Sequence, residues 1–357
     1  WPRASHQGRL RKLPDLDGGH LGEIASRIGR RLRRLLRGAA AEQQLEVGSL
    51  ADDELERIRA HFPRAKFFIS GYPRSGTTLL ARLIRLHPAV ECRWQAHFAS
   101  DELDLLGALP STGLQSWLDR PSNRWVGQAD LMPALVRLTA DYVLERDLPE
   151  SVRVVGDKTP VARLDLALDR LARFYPDASL ILIVRDGRDA VLSQRIQAFL
   201  DQPQTLGLGD LRVRDQFLGD PAAFGGEGRS IFDPAWLVRV AGAWNRAVTL
   251  GQDRAESTYG VRCLTIRFED LLSDAWGVCV RLWGFLEAGE LAPGLRGDVE
   301  AAMQRNPAAD WHAQLAPAVA ERLQRGAAGG WRDWLSVADR HLFETNASPG
   351  LERWDYQ

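Results

Sequence analysis

From Lys66 onward the chain alternates short, continuous apolar runs with stretches in which apolar residues recur every three to four positions. Continuous runs read as strands buried on both faces, and helical spacing as helices packed over them. The pattern therefore predicts an α/β domain with a mostly parallel sheet. Phe67-Phe68-Ile69 predicts one strand, Ser179 to Val184 a second and Val261 to Phe268 a third. Between them, Leu79, Leu80, Leu83 and Ile84 keep helical spacing until Pro88 ends it, and Leu164, Leu168, Leu171 and Phe174 mark another helix. Gln202 to Pro234 is rich in Gly, Asp and Pro and reads as a long excursion of the kind used for lids or binding loops.

The first 40 residues differ, with ten basic residues against three acidic. Ile24, Ile28, Leu32 and Leu35 lie at helical intervals among arginines, which predicts a basic amphipathic helix over Leu21 to Arg37. Such a helix either packs its apolar stripe on the main domain or meets an anionic partner. The expected division is a basic helical extension over 1–60 and an α/β domain over 61–357. Across all 357 residues, 46 basic and 47 acidic side chains give a net charge of −1, so the chain is not built to coat nucleic acid or a membrane. Any anion site must be local. Cys92, Cys263 and Cys279 are too few and too scattered for a disulfide framework or a Cys-rich metal site, and suit a reducing compartment such as the cytoplasm. Leu180 to Val184 is far shorter than the roughly 20 residues of a membrane helix, and no signal-peptide pattern opens the chain.

The candidate chemistry begins after the first strand, at Gly71-Tyr72-Pro73-Arg74-Ser75-Gly76-Thr77-Thr78. Strand, Gly-bounded loop and helix in that order turn backbone N–H groups and a helix N-terminus toward a phosphate-like anion. The nucleotide triphosphatase loop has Lys after its second Gly, and Thr77 stands there instead. With no evident strand-ending aspartate for Mg²⁺, this loop is poorly equipped for ATP hydrolysis. Arg74 supplies a cation within the loop itself. The segment Tyr72 to Thr78 resembles the 5′-phosphosulfate-binding loop of sulfotransferases that use 3′-phosphoadenosine-5′-phosphosulfate (PAPS).

A second motif, Arg185-Asp186-Gly187-Arg188-Asp189-Ala190-Val191-Leu192-Ser193, follows the strand ending at Val184, where α/β sheets bind ligands. Taken alone, such a charge run reads first as a solvated helix cap. Alongside the first loop it resembles the 3′-phosphate segment of the same family, in which the positions of Arg185 and Ser193 hold the phosphate that distinguishes PAPS from ATP. Gly156-Asp157-Lys158-Thr159-Pro160 is similar to the segment that places a lysine near the transferring group in bacterial and Golgi protein-tyrosine sulfotransferases; only three lysines occur in the chain. Ile266-Arg267-Phe268-Glu269-Asp270-Leu271 resembles the Y-E-D-L segment whose ring contacts adenine, with Phe268 lacking the hydroxyl. Gln324-Arg325-Gly326 to Trp331-Arg332 resembles the segment that closes over the 3′-phosphate, with Arg325 and Gly326 as its cation and glycine.

The resemblance implies a P-loop-type sheet, PAPS as donor, no metal, and sulfuryl transfer to a hydroxyl or amine of a small molecule, natural product or glycan, without nucleic acid as partner. Arg74 and Lys158 would stabilise developing charge, with Ser75, Gly76, Thr77 and Thr78 around the 5′-phosphate. The general base departs from the family pattern: relatives carry glutamate shortly after the His-Pro, and counting from His87-Pro88 gives Gln95, which takes no proton. If Ala89 to Phe98 is extended, Glu91, Arg93, Gln95 and His97 share a face. His97 is then the substitute base and Glu91 the second choice. Two other readings stand beside the transferase: a P-loop kinase, and a PAPS-binding or adenosine 3′,5′-bisphosphate-binding protein without turnover. Acceptor identity would lie in about Ala99 to Glu150 and Gln202 to Pro234, with tryptophans such as Trp94, Trp117, Trp125, Trp236 and Trp244 available to line a pocket.

Overall fold

The structure, a computed structural model, describes residues 48–100, 104–126, 131–305, 319 and 328–356. The anticipated basic helix at Leu21 to Arg37, and Arg325 and Gly326, lie outside these described residues, as does the side chain of Trp125.

Five strands, β1 (Ala65–Ser70), β2 (Val90–Trp94), β3 (Val154–Lys158), β4 (Ser179–Val184) and β5 (Cys263–Arg267), form one parallel sheet in the order β2-β3-β1-β4-β5. Alternation along the strands divides the core between the two faces. Phe67, Ile69, Ile181 and Ile183 pack beneath helices Thr77–Ile84 and Ala275–Phe285. Phe68, Leu180, Leu182 and Val184 pack beneath Leu131–Glu145, Leu164–Phe174, Gly187–Leu200 and Pro234–Arg246.

Two strands beyond the three anticipated complete the sheet. β3 ends in Asp157 and Lys158, and all five of its residues are buried; charges buried at a strand end disguise it as a loop in a reading by hydropathy. β5 is shorter than expected, because Val261 is 95% exposed in a 3₁₀ turn and Phe268 opens the next helix.

Residues 202–234 are not a free excursion. Helix Leu208–Gly219 and 3₁₀ turns at Pro203–Thr205 and Pro221–Ala223 occupy them, and Phe217 packs edge-on or tilted against Phe199, Phe224 and Trp334. Because Phe217 is the one buried residue of that helix, no apolar stripe announces it. At the other end, helix Asp52–His61 sets Leu55 and Ile58 against Ala134, and Leu50 N–H donates to the Arg173 carbonyl at 3.3 Å, docking this segment on the α/β body. Among the described residues no helix is long and apolar enough to cross a membrane.

Parallel register aligns the strand ends. Lys158 stands opposite Ile69 on one side and Trp94 on the other, and Val184 stands opposite Arg267. The loop after β1, Lys158, Trp94, Arg185 and Phe268 are thereby gathered at the carboxyl edge, where open α/β sheets bind ligands.

Candidate functional site

The loop after β1 turns sharply at Arg74, whose φ of 73° is left-handed, and again at Gly76, φ 99°, the N-cap of helix Thr77–Ile84. A Cβ on Gly76 would lie 2.4 Å from the Phe268 ring, so glycine is required both for the turn and for that packing. The helix start carries no acidic side chain and no side-chain cap. The N–H groups of Gly76, Thr77 and Thr78 precede any intrahelical acceptor and face the open end. Ser75 N–H donates to the Tyr72 carbonyl at 3.1 Å and so is committed to the turn, narrowing the expected cradle by one donor. The Ser75 hydroxyl is fully buried and has no hydrogen-bond partner among the described residues.

Three cations converge on this loop. Arg74 Nε donates to Ser193 Oγ at 3.1 Å, and Arg185 Nη1 donates to the Arg74 carbonyl at 3.2 Å. Lys158 Nζ donates to Thr78 Oγ1 at 3.3 Å and lies 4.4 Å from the centre of the Trp94 ring. Burial depresses the pKa of all three; the neighbouring Arg185 charge adds to the effect on Arg74, and Lys158 is brought down to about 8. Arg185 has Asp189 at 4.0 Å, but that carboxylate already accepts from Gly329 and Trp331 N–H at 2.7 and 2.9 Å. Among the described residues no carboxylate is within ion-pair distance of Arg74 or Lys158. Clustered, desolvated cations beside an open helix N-terminus make a site whose electrostatics an anion would complete.

The structure thus brings together Arg74, Ser75, Gly76, Thr77, Thr78, Lys158, Arg185, Ser193 and Phe268. Ser193 is held by Arg74 rather than by Arg185. Phe268 is 3% exposed, wedged between Gly76 and the Arg185 guanidinium, whose carbon is 4.4 Å from the ring centre. Its ring supports the cations and the loop.

The shared face expected for Glu91, Arg93, Gln95 and His97 does not extend past Trp94. Gln95 and His97 have φ values of 48° and 53°, which break the two-residue alternation. Gln95 N–H donates to the Lys158 carbonyl at 3.0 Å and Ala96 N–H to Asp157 Oδ1 at 2.9 Å, tying this bend to the end of β3. Glu91 is engaged by Arg85 at 2.7 Å. His97 is half-buried, and its Nδ1 is buried without a hydrogen-bond partner among the described residues. Trp94 is 46% exposed, whereas Trp244 is wholly buried.

Carboxylates and aromatics hold these motifs in place, and motif spacing alone does not announce them. Arg188 pairs with Asp186 at 2.9 Å and with Glu344 at 3.0 Å, and lies 3.9 Å from the centre of the Trp331 ring. Trp331 Nε1 donates to Asp186 Oδ2 at 3.1 Å. The one available signal was the Asp186, Asp189 and Trp331 already inside the quoted motifs.

Known proteins resemble this chain over part of its length. Protein-tyrosine sulfotransferase 1 of Danio rerio is 30% identical over 126 residues, 35% of this chain and 34% of that one. Protein-tyrosine sulfotransferase A of Caenorhabditis elegans is 24% identical over 264 residues, 71% of this chain and 59% of its own length. This chain therefore spans about a third of the zebrafish relative and under two thirds of the nematode one. Among solved structures, a mouse sulfotransferase complexed with PAP is 15% identical, with a TM-score of 0.43 over 86% of this chain and 94% of that one. The model of the sulfotransferase family matches residues 65–289, from the first strand through the helices after the fifth; this chain belongs to the sulfotransferase family.

Proposed function

We propose that the protein transfers a sulfuryl group from PAPS to a hydroxyl, or an amine, of a small molecule, natural product or glycan, releasing adenosine 3′,5′-bisphosphate. The carrying observation is the convergence of Arg74, Arg185 and Lys158 on a helix N-terminus that has no side-chain cap of its own. The fully buried, unpartnered Ser75 hydroxyl, the open N–H groups of Gly76 to Thr78 and the three cations suit a ligand bearing phosphate-like anions at two ends. PAPS supplies the activated sulfuryl group and the phosphate leaving group.

Arg74, the loop N–H groups and Lys158 would bind and neutralise the 5′ end, while Arg185 and Ser193 would mark the 3′ end. Lys158, about 8 in pKa and hydrogen-bonded to Thr78, can stabilise charge that grows on a leaving oxygen, because its own desolvation is relieved by an approaching negative charge. His97 is the base candidate at this edge, since Gln95 takes no proton; its Nδ1 is buried and has no hydrogen-bond partner among the described residues, so Nε2 would be the atom that meets the acceptor. Replacement of His97 by Ala is expected to lower kcat about 100-fold if the imidazole removes the acceptor proton. Retained turnover removes it from that role. Three free cysteines, two of them buried, suit a reducing compartment.

Calorimetric titration with adenosine 3′,5′-bisphosphate, ADP and Mg-ATP tests the donor. Binding that requires the 3′-phosphate and is lost in Arg185→Ala supports the proposal. Equal or stronger binding of Mg-ATP overturns it in favour of a P-loop kinase. Tight bisphosphate binding without turnover on any acceptor leaves a nucleotide-binding protein.

A further inference from the structure

The peptide bond joining Arg185 to Asp186 is held at both of its polar atoms by side chains from the C-terminal half of the chain. Its carbonyl accepts from Trp244 Nε1 at 3.1 Å, and its N–H donates to Glu269 Oε1 at 3.1 Å. The other oxygen of Glu269 accepts from Tyr356 Oη at 2.8 Å. Arg185 is the first residue after β4, so the orientation of this peptide decides where its side chain leaves the sheet edge. We infer that Tyr356, acting through Glu269 and together with Trp244, is a positioning residue that aims the Arg185 guanidinium and so sets discrimination for a nucleotide carrying a 3′-phosphate.

The clamp is built in depth. Trp244 is fully buried, and a Cβ on Gly187 would lie 2.4 Å from its ring, so the residue two after Arg185 is a glycine that lets the indole reach the carbonyl. Tyr356 is 9% exposed, with its ring centre 6.4 Å from that of Trp244 and 4.9 Å from the Arg267 guanidinium carbon. Its N–H donates to the Leu351 carbonyl at 2.9 Å, closing the chain back onto the last helix, Val337–Arg353. Burial, then the Glu269 charge, raises the Tyr356 pKa, so its hydroxyl remains a donor across the physiological range. Strand packing alone would not fix this peptide, because β4 ends at Val184.

The inference rests on the proposed PAPS function and extends it to a residue beyond the family match at 65–289. Its test compares Kd values for adenosine 3′,5′-bisphosphate and 5′-AMP by calorimetry in wild type, Tyr356→Phe, Glu269→Gln, Arg185→Ala and Tyr356→Phe/Arg185→Ala. Phe keeps the ring and removes one hydrogen bond to a carboxylate, so preference for the 3′-phosphate should fall about five- to tenfold with 5′-AMP binding unchanged. Glu269→Gln should move the preference in the same direction. In the Arg185→Ala background the Tyr356 change should have no further effect, as expected of a residue acting through Arg185. If Tyr356→Phe lowers the melting temperature while the preference stays at the wild-type value, Tyr356 is merely structural and the inference is overturned. If wild type itself shows no preference for the 3′-phosphate, the functional reading fails first and the inference falls with it.

Discussion

Two clusters of buried charge sit at opposite ends of the sheet and are built in opposite ways. At the amino edge, Lys66 pairs with Glu145 at 2.7 Å, and Arg137 pairs with Asp141 and Asp177, each at 2.8 Å. Burial works against the Arg137 charge, but hydrogen bonds to Asp177 and attraction from Asp141 outweigh it, and its pKa is pushed up; that of Asp177 is held down chiefly by Arg137 against its own burial. At the carboxyl edge, Arg74, Arg185 and Lys158 are also desolvated, yet their pKa values are pushed down. Matched charges close the fold. Arg74 and Lys158, with no carboxylate within ion-pair distance among the described residues, hold an attraction that a ligand can release.

The largest effect is expected at the matched cluster. Arg137→Met leaves Asp141 and Asp177 without their central partner, and breaking one side of a buried pair costs about 3–5 kcal/mol. Denaturant unfolding should show that loss, while the molecules that remain folded keep their nucleotide affinity. An unchanged unfolding midpoint would break the comparison. Lys158→Met should do the reverse: kcat falls about 100- to 1,000-fold, in line with removal of one preorganised charge donor, and the melting temperature stays level or rises. A drop in stability comparable with that of Arg137→Met would mean that Lys158 belongs to the structural class.

The pH dependence of binding sharpens the same contrast. An anion favours the protonated lysine, so the complex has a higher Lys158 pKa than the free protein. Above about 8, where free Lys158 is neutral, binding must take up a proton. Between about 6.5, below which the ligand's own phosphates take up protons, and about 7.5, affinity for adenosine 3′,5′-bisphosphate should therefore be flat, and it should weaken as pH rises through about 8, by at most about tenfold per unit for a single proton. A lysine at its ordinary value would delay the fall until above about 10. Lys158→Arg should abolish the step, because guanidinium stays charged throughout.

How much of this was legible in the sequence follows from how local each feature is. The loop from Tyr72 to Thr78 lies within one strand-turn-helix unit, and the parallel α/β fold announces itself in the continuous strands β1 and β4. β3 was hidden because its last two residues are charged, and the helix over Leu208–Gly219 because only Phe217 is buried. The Arg185 clamp was out of reach for a different reason: its partners are 59, 83 and 87 residues apart along the chain, joined by single hydrogen bonds that leave no periodic trace. The base-bearing face failed because left-handed φ at Gln95 and His97 ended the alternation on which it depended.

Trp94 offers the finest test of the contrast, since it touches an unmatched cation from the solvent side. Its ring centre is 4.4 Å from Lys158 Nζ, yet nearly half of the residue is exposed, so little core packing depends on it. A cation–π contact at such a site contributes about 0.5–1 kcal/mol. Trp94→Leu should therefore lower kcat about two- to fivefold through looser placement of the ammonium, with the melting temperature unchanged, and Trp94→Phe should restore much of the loss. A fall in stability would place Trp94 among the structural aromatics with Trp244. A rise in the acceptor KM with kcat unchanged would instead assign the exposed ring to acceptor binding, because a contact equally strong in the ground and transition states alters KM alone.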